Sequence, residues 1–264
     1  MITNSLINKK IITSDKHIFN LLVNESHGEV TNAIVVITHG IFTDKYEKGR
    51  FDKLSKLLCD NNFTTVRFDF RGHGESHLNF SQFTITGAVI DYWSVLREIR
   101  KSSNLPIIVI GSSFGGSIVL LCELFNTIPI KSFVLINPVI DYIATFIKPH
   151  LVWAKEIFTD NTKKDAQNNS IGKLEALENE LYISDSFLFE LNAYKPYEAI
   201  DLINESPFLI LHGSEDDKVP IESAIFHCNN KSNVKLDIIE GGGHAFKTDF
   251  HQELAYKKIL NWIK

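Results

Sequence analysis

The stretch PIIVIGSSFGGSIVLLCELF, Pro106–Phe125, decides the fold. Its first residues, Pro106–Gly111, form a short run rich in Ile and Val, the pattern of a fully buried strand in the middle of a parallel sheet. From Phe114 onward the apolar content suits a buried helix. Between the two lies Gly111-Ser112-Ser113-Phe114-Gly115, a G-x-S-x-G pattern. A chain that leaves a strand and enters a helix with almost no loop must bend sharply. Gly111 and Gly115 remove the side chains that would collide at the bend. Ser113 is then left at the apex in a strained backbone conformation, its hydroxyl beyond the carboxyl end of the sheet. It also sits over a helix N-terminus, where free N–H groups and the positive dipole end favour a developing negative charge.

Other buried strands flank this one. Asn32–Thr38 (NAIVVIT), Thr64–Phe70, Ser132–Asn137 (SFVLIN), Pro207–His212 (PFLILH) and Val234–Glu240 (VKLDIIE) all read as strands. Helical spacing appears in Arg50–Asn61, Thr86–Lys101, Ile221–Cys228 and Gln252–Ile263. Ile7–Ile12 and Ile18–Val23, separated by Ser14-Asp15-Lys16, read as an antiparallel hairpin at the sheet edge. The alternation predicts an α/β fold with a doubly wound, mostly parallel sheet and reactive groups in loops beyond the strand carboxyl ends. Between Pro138 and Glu205 strongly buried strands are missing. Helices are expected there over Phe146–Phe158, around Leu174, Leu177 and Leu181, and over Phe187–Tyr194, with a polar loop over Asp160–Gly172. The division that follows is a core of residues 1–137 and 206–264 with a helical cap inserted at 138–205.

At 264 residues and 44% hydrophobic the chain can build one large core. A net charge of −5 gives no electrostatic footprint for nucleic acid. The opening MITNSLINKKIITS lacks the layout of a signal peptide, and no run is apolar and long enough to span a bilayer. Cys59, Cys122 and Cys228 show no metal or redox spacing, which suits buried packing groups in a reducing cytoplasm.

A serine hydroxyl needs a base to become a nucleophile. Of the ten histidines, His244 is best placed: it follows the last strand, in Gly241-Gly242-Gly243-His244-Ala245-Phe246. His227 and His251 fall on expected helices, and His17 and His27 near the edge hairpin. The base in turn needs a carboxylate to fix its tautomer and stabilise the imidazolium. The loop after Leu211 offers Glu215, Asp216 and Asp217; Asp216 is favoured, and Asp141 stands as an outside candidate. For an oxyanion hole the elbow supplies the Phe114 N–H, and the loop after NAIVVIT supplies the Ile41 N–H. His39 and His212 read as residues that brace their loops.

Taken in order, the motifs resemble those of the α/β-hydrolase superfamily over nearly the whole chain. They are H-G at His39-Gly40, D-x-R-G-x-G-x-S at Asp69–Ser76, the elbow at Ser113, G-x-x-D-x-x-V-P at Gly213–Pro220, and G-G-x-H at Gly241–His244. In that pattern the G-x-x-D spacing selects Asp216. Within the superfamily the chain is similar to small capped bacterial carboxylesterases, including those that hydrolyse cinnamoyl esters, and to monoacylglycerol lipases. The resemblance implies a serine esterase that works through an acyl-enzyme, without metal or organic cofactor, on a small-molecule ester or thioester, as a monomer or homodimer. Thioesterase, amidase and acyltransferase chemistry, or a non-catalytic binding role on the same fold, are the alternatives. The cap residues Phe146, Ile147, Leu151, Trp153, Phe187 and Phe189 are the candidates for an apolar substrate pocket.

Overall fold

The computed structural model describes residues 9–203, 206–228 and 231–264. The first half of the chain runs through β1 (Lys10–Ile12), β2 (Ile18–Asn20), β3 (Leu22–Asn24), β4 (Ala33–Thr38), α1 (Arg50–Cys59), β5 (Phe63–Arg67) and α2 (Ile85–Ser102). Then come β6 (Ile107–Ser112), α3 (Phe114–Glu123), β7 (Ser132–Ile136), α4 (Val152–Ile157), α5 (Asp160–Asn169), β8 (Ile171–Lys173), β9 (Tyr182–Ser184), α6 (Asp185–Ala193) and α7 (Pro196–Leu202). β10 (Phe208–Gly213), α8 (Ile221–Cys228), β11 (Val234–Ile239) and α9 (Asp249–Ile263) complete it.

Seven strands make the central sheet in the order β11-β10-β7-β6-β4-β5-β3, parallel except for β3 at one edge. β6 lies in the middle, with Val109 opposite Val36 on one side and Phe133 on the other. Every residue of β4, β5, β6, β7 and β10 is buried, which is why these strands read as continuous apolar runs. Along β4, alternate side chains serve two cores. Ile34 and Val36 pack with residues of α2, α3 and α8 on one face; Ala33, Val35 and Ile37 pack with Phe51, Leu54 and Leu58 of α1 and Ile259 of α9 on the other. Among the described residues no helix is long and apolar enough to cross a membrane.

The expected N-terminal antiparallel hairpin is present. β1 and β2 pair only with each other, in a separate two-stranded sheet, and β3 alone reaches the edge of the main sheet; Ile7 and Asn8 lie outside the described residues. An ion cluster holds the hairpin over α2. Arg71 gives Nη1 to Asp15 at 2.6 Å and Nη2 to Asp91 at 2.8 Å, and His17 Nδ1 meets Asp91 Oδ1 at 2.9 Å.

The segment between β7 and β10 differs more. In place of one helix over Phe146–Phe158 there is a wide turn at Ile143–Ile147, closed by Lys148 N–H to Ile143 O, and then α4. Pro149 forces the break, because the residue before a proline is pushed out of helical geometry; Lys148 sits at φ −123°, ψ 57°. The expected polar loop at Asp160–Gly172 is largely α5. Thr159 caps it by accepting from the Thr162 N–H, and Asp160 complements the dipole in the first turn. Leu174, Leu177 and Leu181 belong to the connection between β8 and β9, an antiparallel pair, and not to a helix. α7 was not anticipated.

The Arg71 guanidinium beside Asp15 holds that carboxyl at about 2, below its ordinary 3.8. A depressed carboxylate contributes stability above its unfolded value and loses it as pH falls through the folded one. Asp15→Asn should therefore unfold at lower urea concentration than the wild type near neutral pH. It should also lose less stability between about pH 5 and about pH 2.5; equal acid losses in the two proteins would remove Asp15 from the account.

Candidate active site

Ser113 joins β6 to α3 with φ 51°, ψ −119°, a region that L side chains rarely occupy. Three backbone bonds hold it there: its N–H donates to Ile136 O at 2.8 Å, and its carbonyl accepts from Gly116 N and Val139 N, each at 3.1 Å. The bend also brings α3 against the end of β4. A Cβ on Gly115 would stand 2.4 Å from His39 O and 2.9 Å from Thr38 O, so only glycine fits.

The loops after β10 and β11 meet beside this elbow. His244 Nδ1 lies 2.9 Å and 3.0 Å from the two oxygens of Asp216. Asp216 Oδ1 also accepts the N–H groups of Lys218 and Val219, both at 2.9 Å. On its other side Oδ2 is 3.4 Å from Nε2 of His212, which is fully buried and also 3.3 Å from Val219 O. Two acceptors facing Nε2 place the proton there, and His212 Nδ1 has no partner. Burial alone would push the Asp216 carboxyl up. The adjacent His244 imidazole, with the hydrogen bonds from His212 and His244, outweighs burial and holds it well below the usual carboxylate range. Its neighbours Glu215 and Asp217 are exposed. Asp141, the other acid considered, accepts from Ala144 N–H and lies 4.0 Å from His227.

The loop after β4 closes the third side. His39 is fully buried, with Nδ1 2.8 Å from Gly40 O and Nε2 accepting the Phe70 N–H at 3.0 Å. Burial pushes its pKa down, so it stays neutral with the proton on Nδ1. The Gly40 N–H is taken by Glu47 Oε1 at 2.7 Å. The other Glu47 oxygen holds the Arg50 guanidinium, which in turn donates to Ala245 O in the histidine loop. Among the described residues neither the Ile41 N–H nor the Phe114 N–H is spent on an acceptor within the protein. No hydrogen bond joins Ser113 Oγ to the imidazole among the described residues. Both side chains line one cavity of about 880 Å³, as do Gly40 and Ile41.

Of the six cap side chains expected in a pocket, Phe146 and Trp153 line this cavity. Ile147 packs on the core edge, Leu151 precedes α4, and Phe189 is 71% exposed. Phe187 is buried among Phe80, Phe83 and Phe114. The wall also includes Phe42, Val139, Leu177, Leu181 and Val219. Leu177 and Leu181 have the spacing of a helix but lie in the β8–β9 connection, and Phe42 sits at φ 62°, which local sequence does not announce. The remaining histidines lie elsewhere: His27 meets Asp60, His227 stacks on Tyr197, and His251 meets Thr248. Among the described residues no group of three or more His, Cys, Asp or Glu side chains is placed to hold a metal ion.

Sheet order, elbow and loop placement define an α/β hydrolase. The chain belongs to the family described as serine aminopeptidase, S33, whose model matches residues 29–184. It is similar to human monoglyceride lipase, 24% identical over 88% of this chain and 82% of the relative. It is also similar to putative esterase/lipase 2 of Mycoplasma genitalium, 21% identical over 96% of this chain and 97% of the relative. Among solved structures it matches Est1E from Butyrivibrio proteoclasticus with ferulic acid bound, at a TM-score of 0.80 and 23% identity, covering 96% of this chain and 97% of that one.

The acid and base loops touch through glycine: a Cβ on Gly213 would stand 2.0 Å from Gly242 O. Gly213→Ala should force the loops apart and cost about 1–3 kcal/mol in urea unfolding. A variant as stable as the wild type would show that the contact yields freely.

Proposed function

We propose that this protein is a serine hydrolase that cleaves carboxylic esters through an acyl-enzyme on Ser113, with His244 as general base and Asp216 as the acid that orients it. The observation that carries the reading is the pairing of Asp216 with His244 Nδ1, on a cavity wall shared with the strained Ser113. With Nδ1–H donated to the carboxylate, Nε2 is left as an acceptor turned to take a proton. Ser113 Oγ attacks the ester carbonyl carbon as its proton passes to Nε2. The carbonyl oxygen becomes an oxyanion facing the N–H groups of Ile41 and Phe114, and one such donor stabilises the transition state by about 3 kcal/mol. The tetrahedral centre collapses as the imidazolium returns the proton to the leaving oxygen. Water, deprotonated by the same imidazole, then attacks the acyl-enzyme and frees Ser113. His39 and the Glu47–Arg50 bridge position the two loops around the reacting atoms.

Relatives named as lipases and esterases, and a neighbour holding ferulic acid, support an ester over an amide. The family description points instead to aminopeptidases. Such an enzyme needs a carboxylate to receive the substrate's α-ammonium. On this wall Glu47 is occupied by Gly40 and Arg50, Asp249 faces Lys53 at 3.8 Å, and Glu178 is exposed. The residues from 138 to 205 act as the cap, their Phe146 and Trp153 forming the apolar wall for the acyl group.

A fluorophosphonate should label the wild type at Ser113, and Ser113→Ala should be unlabelled and lose at least about a thousandfold in kcat; substantial hydrolysis by that variant would falsify the assignment. Trp153→Ala should shift the chain-length preference across a series of p-nitrophenyl esters. An unchanged profile would take Trp153 out of the acyl site.

A further inference from the structure

The cavity wall carries a charge pattern that ester hydrolysis does not require. Five of its side chains are cationic: Lys48, Arg50, Lys53, Lys218 and Lys247. Two are neutralised, Arg50 by Glu47 and Lys53 by Asp249. Among the described residues no carboxylate lies within 4.0 Å of the ammonium of Lys48, Lys218 or Lys247. Lys48 and Lys247 stand at the exposed rim, while Lys218 is half-buried with its ammonium over the Trp153 ring, 5.1 Å from the centroid. Burial, then the nearness of Lys247 and Lys48, push the Lys218 pKa down; Asp217 and Asp216 oppose this without cancelling it. Three like charges are thus gathered on one wall of a chain whose net charge is −5. That arrangement is unfavourable in the empty protein, and an incoming anion relieves it.

Position tells which part of the substrate is charged. In the reading above, the imidazole returns its proton to the leaving oxygen, so the leaving group lies against His244. Lys247 follows His244 by three residues, and Lys48 precedes Arg50, whose guanidinium holds Ala245 O. Lys218 lies between the two sides: its N–H binds the carboxylate paired with His244, and its ammonium reaches over Trp153 of the acyl wall. The rest of that wall, at Phe42, Phe146, Leu177 and Leu181, is apolar apart from the exposed Glu178. We propose that the substrate's leaving group is anionic, an alcohol or thiol bearing a phosphate or carboxylate that Lys218, Lys247 and Lys48 receive. This rests on the ester-hydrolase reading and deepens it. A neutral glycerol leaving group would leave all three ammonium groups unpaired.

The test holds the acyl chain fixed and varies the leaving group, using the full chain with 1-butyrylglycerol and 1-butyrylglycerol 3-phosphate. At low ionic strength kcat/KM should favour the phosphate by about tenfold or more, and the ratio should shrink towards one in about 1 M salt. Lys218→Met keeps the stem over Trp153 and the backbone N–H bound to Asp216. It should lower the phosphate-to-neutral ratio by about tenfold, and Lys247→Met by less. A second arm compares p-nitrophenyl butyrate with mono-p-nitrophenyl succinate, which moves the anion to the acyl side; no preference for the succinate is expected. A wild-type ratio at or below one, a ratio unmoved by Lys218→Met, or a preference confined to the succinate would each overturn the proposal while leaving the hydrolase reading intact. Failure to cleave any of these esters, together with no fluorophosphonate labelling, would overturn both.

Discussion

The strained turn at Ser113 is the constraint on which the remaining structure depends. A non-glycine residue in such a conformation costs about 1–3 kcal/mol and persists only if its surroundings over-determine it. Here they do so in three independent ways. The end of β7 and the residues just after it fix the serine backbone on both sides, through Ile136 O and the Val139 N–H. Gly115 lets α3 close onto the end of β4. Phe114, buried to 1%, drives its ring into Phe83, Tyr142, Phe146 and Phe187. Relaxing the serine would tear that aromatic cluster from its packing, at a cost greater than the strain released.

Asp216 and His244 are held by a different device. Asp216 is buried, and an unpaired buried carboxylate is costly. Two backbone N–H groups and two imidazoles surround it, so its charge is compensated by donors from β10, the loop after it and the loop after β11. The Glu47–Arg50 bridge then ties the histidine loop to the loop that carries Ile41. Three loops far apart in sequence are thereby joined by polar contacts at the carboxyl edge of one sheet, where the parallel topology had already delivered their ends.

What was legible in the sequence follows from these devices. β4, β6, β7 and β10 are buried on both faces and read as apolar runs, and the five motifs fall at or just beyond the carboxyl ends of β4, β5, β6, β10 and β11. Asp216 and His244 could be chosen because only loops beyond those ends can reach Ser113. The segment after Pro138 was read poorly for equally physical reasons. α5 buries little beyond Thr162 and Ala166, so its apolar signal is too weak to distinguish a helix from a polar loop. Its caps, Thr159 and Asp160, were the available sign. The leucines at 174, 177 and 181 have helical spacing by coincidence and serve a loop that packs on the cavity. The N-terminal hairpin was legible from its two β-rich runs, whereas the Arg71–Asp15–Asp91 cluster that ties it to α2 joins residues with no sequence periodicity between them.

Phe114 connects the two halves of the proposed enzyme. Its N–H is not spent on an acceptor among the described residues, and its ring stacks at 5.4 Å on Tyr142, at the start of the segment between β7 and β10. The same segment supplies Phe146, which touches that ring and also lines the cavity. A change in the segment between β7 and β10 that moves Phe146 therefore bears on the packing around Phe114 as well as on the shape of the cavity. In the proposed mechanism a misplacement of about 1 Å can cost a hundredfold in rate, so a substitution that shifts Phe146 should act on kcat along with KM.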